Sequence, residues 1–523
     1  MVQSIFRIKG NGAKLTAYIL ILFALGFGFF SRVVSVFRYV TFDIGPSPDQ
    51  VRDAYIYMNM WQGIWPTLGP SASVGGYHLP PLYYYLVFPF TAFGSDPVLQ
   101  ALPNALFSFL SIPLLISLVY QLLEKKVKLS KRLIVAGLAG CWYSLLFGEI
   151  FISTFQWNPS PIPFFLICFT LLYKHQLESK FTLIAQSLCW ILYGITLAIL
   201  MSLHSTTLFV MPLVFMASST LFIYNNRRTQ KKWLFPGLSI ISTIIALLPY
   251  WRGEISRGFL NTKQIILTVI SSSQDAHTST ILQRLSRLVL NYFELGQQAY
   301  FLGSSWGHIS ISTIFFSLIL ILGLGKFKGN RTIIRVLFFT WLVYLYAASN
   351  YKGIFFIHYK MLILFAPIIF TSLSIAYLDF SKKNDRFIII ILILGISFSA
   401  WTNLTFNYKY LYSKYGRDRL VATADIIYIF NQLPAKSTLC DPQYEGARKL
   451  YNQYKYIDTY ITKKGLKWVK ICQSGNYILQ PKSKMVQQIN NLWPVFSISK
   501  NKVAQENSSL FLETPVAYVY VSK

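Results

Sequence analysis

Apolar runs alternate with short polar segments from the N-terminus to about residue 402, and the polar segments are mostly basic. The runs fall near 14–35, 98–123, 133–152, 159–175, 183–202, 206–224, 234–250, 311–325, 332–348, 360–378 and 386–402. At 1.5 Å per residue, most of them are long enough to cross a hydrocarbon layer of roughly 30 Å as a helix. Inside a bilayer the backbone must satisfy its own hydrogen bonds, so helices are the expected spanning elements. The pattern therefore predicts an all-α polytopic membrane protein with about eleven transmembrane helices.

The polar segments set the orientation. The N-terminal "FRIKGNGAK" and the loops "LEKKVKLSKR", "YKHQLESK", "NNRRTQKKW", "KFKGNR" and "DFSKKNDR" all fall on one side of such a bundle. Lys and Arg gather on the cytoplasmic side, which predicts a cytoplasmic N-terminus and an extracytoplasmic C-terminal tail. The first run exceeds a signal-peptide core and has no clear small-residue cleavage site after it, so it is expected to be a retained helix. The expected division is a transmembrane domain over 1–402 and an extracytoplasmic domain over 403–523. Large outer loops are expected at 36–97 and 251–310.

Three segments outside the spans carry a pattern of their own. "PPLYYYLVFPFTAFG" is apolar but short, and its rings suit the membrane–water boundary as an interfacial helix or helix pair. In "ILQRLSRLVLNYFELGQQ", Ile281, Leu285, Leu288 and Tyr292 share one helical face, which predicts a helix lying flat on the membrane. In the tail, "STLC", "NYILQ" and "PVAYVYV" read as strands and "DRLVATADIIYIFNQL" as a helix, giving a small α/β domain.

Composition agrees with the membrane reading. Only 13% of the 523 residues are charged and 54% are hydrophobic, against roughly 25% charged in soluble domains. The net charge of +29 does not call for nucleic acid: much of it lies in the inner loops, it suits anionic lipid head groups, and no nucleic-acid module is present. Cys141, Cys168 and Cys189 lie in apolar runs as packing residues. Cys440 and Cys472 are free to pair if the tail lies outside the cytoplasm. There is no Cys/His metal spacing and no phosphate-binding G-x-x-x-x-G-K loop.

The candidate chemistry lies in the first outer loop. "SPDQVRDAYIYMNMW" reads as a helix over 47–61, with Ser47 as cap and Pro48 in the first turn. Asp49 and Asp53 then share a face, with Arg52 beside them. The plain alternative is dipole compensation on a solvated face. Carboxylates held against a membrane beside an arginine are costly to desolvate, which points to a task. A carboxylate can take the proton of an acceptor hydroxyl as its oxygen attacks an anomeric carbon. A single displacement of that kind inverts the sugar. A phosphate leaving group needs cations, as Arg and Lys supply. Arg252 and Arg257, after Pro249 at an outer span end, are the first choice for that phosphate. Their alternative role is to reach toward lipid head groups.

"DQVRDA", "LGPSASVGGY", "PPLYYYL" and "FQWNPSPIPFF", in that order, resemble the bacterial polyprenyl-phosphate-dependent glycosyltransferases. That family includes the protein O-mannosyltransferases and the lipid A aminoarabinose transferase, and the similarity is strongest over 45–165. The resemblance implies the C-type glycosyltransferase fold and an inverting hexosyl- or pentosyltransferase in a bacterial plasma membrane. The donor would be a polyprenyl-phosphate sugar and the acceptor a protein, lipid or glycan hydroxyl. It implies Asp49 as the catalytic carboxylate, with Arg52 three residues on and Asp53 in support. By the resemblance, His358, Tyr359 and Lys360 would contact phosphate or lipid; His78, from its place before Pro80 and Pro81, is a candidate to contact phosphate or acceptor, with a structural hydrogen bond as the alternative. Three positions depart from the family. Gln50 follows Asp49 where Glu is frequent, Leu79 stands where the aminoarabinose branch has Lys, and Asn158 stands where many members have an acid. Glu149 is the candidate substitute for that acid. These departures argue against the aminoarabinose reaction itself. No cofactor is expected, with a divalent ion bridging Asp49 and His78 as the alternative. The rival functions are a transporter or flippase of lipid-linked sugars and a polysaccharide polymerase or ligase.

Overall fold

The computed structural model describes residues 11–39, 49–72, 75–125, 127–177, 182–228, 232–277, 280–302, 331–349, 357–409, 423–440, 455–469, 473–481, 488–489, 493–494, 508–514 and 517–523. Among these, six helices are long and apolar enough to cross a membrane: Gly12–Phe37, Pro97–Leu122, Leu183–Leu203, Ser205–Asn225, Thr332–Ser349 and Lys383–Asn407. The shorter Ile162–Leu177 occupies the fourth expected run, and the run at 311–325 lies outside the described residues.

Three runs expected as continuous spans are broken, which corrects the reading from periodicity. Leu129–Leu145 and Phe147–Ser153 meet at 60°, Leu234–Ala246 and Leu248–Ser256 at 57°, and Ile357–Ile363 and Ala366–Tyr377 at 42°. Proline explains two of the breaks: Pro249 and Pro367 sit in the first turn of the second piece, where a missing N–H does no harm and the preceding turn cannot continue. No proline lies at the first break. There the freed backbone groups are taken by the last span. Asn403 Oδ1 accepts from Phe147 N at 2.7 Å, and Asn407 Nδ2 donates to the Leu145 carbonyl at 2.9 Å.

The first loop begins with a helix, Asp49–Trp61, whose inner face buries Val51, Ala54, Tyr57, Met58 and Met60. A narrow hairpin follows, closed by Gly69 N to Leu79 O at 2.7 Å and Ala72 N to Tyr77 O at 2.8 Å. Gly69 is required there, because a Cβ would lie 2.2 Å from the Pro80 carbonyl oxygen. The aromatic stretch after the double proline forms Leu82–Val87 and a 3-10 turn, Phe88–Phe93, too short to span and in keeping with the expected interfacial pair. Second-loop residues clamp this hairpin. Asn261 exchanges two hydrogen bonds with the His78 backbone, at 2.6 and 2.9 Å, and Gln264 Nε2 donates to the Gly75 carbonyl at 2.7 Å. The amphipathic helix forms over Ile281–Leu295, with Ile281, Leu282 and Leu285 exposed.

The tail carries a helix, Thr423–Gln432, and a five-stranded sheet in the order β2 (Lys467–Val469), β1 (Thr438–Cys440), β3 (Tyr477–Pro481), β5 (Ala517–Ser522), β4 (Ser508–Glu513). β1 is parallel to β2 and β3, and the β3–β5–β4 side is antiparallel. The three strands and the helix expected from the sequence are all present. Cys440 is disulfide-bonded; Cys472 lies outside the described residues. The tail is joined to the first loop. Tyr456 is fully buried, stacks edge-on against Tyr55 at 5.4 Å, and receives a hydrogen bond from Gln100 at 2.9 Å.

Candidate active site

The Asp49–Trp61 helix places both carboxylates on Arg52. Nη1 of Arg52 lies 2.9 Å from Asp49 Oδ1, while Nη2 and Nε lie 2.7 and 2.8 Å from Asp53 Oδ1. The two acids differ in surroundings. Asp53 is 0% exposed, whereas Asp49 and Arg52 keep 28% and 33% of their side chains exposed. Asp53 also accepts from Tyr84 OH at 2.9 Å and from Gln156 Nε2 at 2.9 Å. Burial pushes its carboxyl above the ordinary carboxylate range, although Arg52 pulls the other way. Burial works against the Arg52 charge as well, but Asp53, Tyr84 and Asp49 outweigh it and hold the guanidinium above its usual value. Asp53 is therefore a buried organiser of Arg52, and Asp49 is the acid that meets solvent.

A second segment roofs this helix. Gln156 and Trp157 follow the short helix Phe147–Ser153, and Trp157 Nε1 reaches Asp49 Oδ2 at 3.3 Å. Asn104 Nδ2 holds the segment by its carbonyls at Phe155 and Trp157, at 3.1 and 3.0 Å. Trp157 in turn packs on His358, 4.3 Å between ring centres. His358, Tyr359 and His204 complete the cluster, with His204 at 5.7 Å from His358 and 5.0 Å from Tyr359. Asp49, Arg52, Asp53, His358 and Tyr359 are thus linked through Trp157. On the other side, Arg52 Nη1 donates to Ser71 Oγ of the hairpin at 3.1 Å.

The remaining candidates lie elsewhere. Glu149 is buried on Arg32, 2.5 Å away, and also accepts from Ser108. Lys360 is 0% exposed and donates to Gln298 at 2.8 Å. His78 is fixed by its backbone to Asn261, and its ring lies 3.1 Å from the Gly69 carbonyl. Arg257 is held by Thr67 at 3.0 Å and faces Glu254 at 3.8 Å. Arg252 is exposed and lines a cavity of about 890 Å³ with Trp65, Thr67, Tyr85, Leu248 and Pro249. It has no hydrogen bond or ion pair among the described residues. Among those residues no group of three His, Cys, Asp or Glu is placed to hold a metal ion.

Sequence reasoning singled out the acids and missed several of their partners. Gln156, Tyr84 and Tyr57 had no signal beyond their place in the quoted motifs. His204 reads as a packing residue at a span end; the structure sets it against the His358–Tyr359 pair, and its ring also caps the Ser205–Asn225 helix.

No protein-family model matches the chain, and no curated sequence matches it. Solved structures do. ArnT from Cupriavidus metallidurans in the apo state superposes with a TM-score of 0.54 at 11% identity, over 98% of this chain and 98% of that one. The same protein bound to undecaprenyl phosphate gives 0.51 at 10% identity, over 96% and 97%. With its many spans, its helical first loop and its small tail sheet, the chain has the C-type glycosyltransferase fold.

Proposed function

We propose that the chain is an inverting glycosyltransferase that moves a sugar from a polyprenyl-phosphate donor to an acceptor hydroxyl on the extracytoplasmic face. The observation that carries this is the asymmetry of the acid pair. Asp53 is buried among Arg52, Tyr84 and Gln156, while Asp49, bonded to Arg52 and Trp157 from the same helix, keeps 28% of its side chain exposed. In the reaction Asp49 takes the acceptor proton as the acceptor oxygen attacks the anomeric carbon. The carbon–oxygen bond to phosphate breaks, and its electron pair leaves with polyprenyl phosphate. Arg52 belongs to the acids, so the phosphate falls to Arg252 at its cavity, where Trp65, Tyr85, Leu248 and Pro249 offer an apolar wall to the lipid. The ArnT structure bound to undecaprenyl phosphate supports a donor of this class. The disulfide at Cys440 supports an extracytoplasmic tail.

A second reading, a transporter of lipid-linked sugars, draws on the three broken spans and on the buried Arg32–Glu149 pair. At transporter breaks the freed helix ends face the substrate. Here the ends at Leu145 and Phe147 are occupied by Asn407 and Asn403. That favours the transferase. The test is label transfer from a panel of polyprenyl-phosphate sugars to a membrane extract, using the purified chain and Asp49→Asn. Losing a general base costs about 10²- to 10⁴-fold in rate. Equal rates for the two proteins remove Asp49 from its role. Lipid flipping in vesicles without transfer establishes the transporter.

A further inference from the structure

We propose that the buried Arg32–Glu149 pair is a positioning element for the site: it fixes the direction of Phe147–Ser153 and so sets where Gln156 and Trp157 meet Asp53 and Asp49. Arg32 lies in the first span, inside a π-turn at Phe30–Val34, and is 0% exposed. All of its nitrogens are engaged. Nε donates to Ser108 Oγ at 2.6 Å and to Glu149 Oε2 at 3.0 Å. Nη1 donates to Ser31 Oγ at 3.1 Å and to the Ser144 carbonyl at 2.9 Å. Nη2 reaches the Tyr143 carbonyl at 3.3 Å and Glu149 Oε2 at 2.5 Å.

The two carbonyls close the helix Leu129–Leu145, and Glu149 sits in the first turn of the next helix. A single guanidinium therefore grips both sides of a 60° break. Asn403 and Asn407 already satisfy the backbone next to it. The Tyr143 and Ser144 carbonyls that Arg32 takes need only a donor, so the backbone of the break does not by itself require an ion pair at Glu149. What the pair adds is a rigid, planar, five-donor link between the first span and the far side of the break. Gln156 and Trp157 begin only a turn beyond Ser153, so a tilt of this short helix passes directly to both of their bonds, 2.9 Å to Asp53 and 3.3 Å to Asp49. Glu149 touches no reacting group; it acts through the segment it aims.

The kinetic part of the test rests on the transferase reading, and the spectroscopic part does not. The full chain is labelled with 5-fluorotryptophan in detergent, and the Trp157 resonance is assigned with Trp157→Phe. The double variant Arg32→Gln/Glu149→Gln removes both charges and so leaves neither one buried alone. The expected result is a shifted or broadened Trp157 resonance in a protein that still melts cooperatively. Its turnover should fall on the order of ten- to a hundredfold, with the donor KM within about twofold, because misplacement of about 1 Å costs rate more than binding. A folded double variant with an unmoved Trp157 resonance overturns the proposal. So does a moved resonance with wild-type turnover. If the double variant does not fold, Ser108→Ala and Glu149→Gln take its place under the same criteria. If the wild type transfers no sugar, the transferase reading fails and the resonance alone decides.

Discussion

Asp53→Asn separates charge from hydrogen bonding at the centre of the site. The new amide oxygen still accepts from Arg52 Nε and Tyr84 OH, now at 2.8 and 2.9 Å from Asp53. Its amide nitrogen would face Gln156 Nε2, now 2.9 Å from the carboxylate, but Gln156 can turn over and Tyr57 OH can then donate to it. What is lost is the charge opposite Arg52. Breaking a buried ion pair costs roughly 3–5 kcal/mol, but Arg52 keeps Asp49 and its contact with water, and burial disfavours the Asp53 charge more than Arg52 favours it, so a change within about 1 kcal/mol is expected. Asp53→Ala also strands the Arg52, Tyr84 and Gln156 donors, and should reach about 3–5 kcal/mol. The assay is thermal unfolding in detergent followed by a thiol-reactive dye, which reports Cys141, Cys168 and Cys189 as they become exposed. Asp53→Asn should melt within about 3 °C of wild type and Asp53→Ala well below both. Turnover should fall at least tenfold in both, because Arg52 would swing wholly onto Asp49 and weaken it as a base. Equal melting of the two variants, or both within about 1 °C of wild type, would refute the buried-organiser role.

Activity should fail on the acid side at a pH above the ordinary carboxylate value of 3.8, because burial raises the Asp53 pKa and its protonation releases Arg52. The sign for stability is the opposite: a raised folded-state pKa means the native state binds this proton first, so the group's contribution rises as pH falls toward its unfolded value. A pH–rate profile recorded beside a pH–melting series checks both. Gly69→Ala would bring a Cβ within 2.2 Å of the Pro80 carbonyl, so the hairpin must open; turnover should drop more than about tenfold with little change in detergent melting. Tyr456→Ala should release the tail from Tyr55 and Gln100 at about 3–5 kcal/mol of docking, read as faster limited proteolysis of the tail than of the membrane part.

The apolar periodicity sufficed for the spans because a bilayer leaves the backbone few options. It failed where side chains from distant segments decide the path. No proline lies near Leu146 and Gly148 alone is a weak breaker; the break is gripped by Arg32, Asn403 and Asn407. Arg32 is hidden within the first apolar run, so Glu149 looked like a spare acid for chemistry when it is one half of a buried pair. The Asp49–Arg52–Asp53 trio was legible because helical spacing alone brings the three side chains together. Gln156 and Trp157 come from more than 100 residues away, and no local spacing carries that contact.

The described acids show why so acid-poor a chain keeps the ones it has. Asp96 caps Val98, Glu254 caps Thr262, and Asp458 accepts from three successive backbone N–H groups at Lys464, Gly465 and Leu466. Each of these acids replaces a backbone partner at a place where regular structure stops. Asp53 and Glu149 serve guanidiniums instead, those of the part-exposed Arg52 and the buried Arg32. Asp49 belongs to the same set by position, in the first turn of its helix, yet it differs in its partners, the side chains of Arg52 and Trp157. In a fold whose helix interiors satisfy themselves, the interruptions hold nearly all the polar chemistry. Asp49 is bonded there to both Arg52 and Trp157 and still keeps 28% of its side chain exposed.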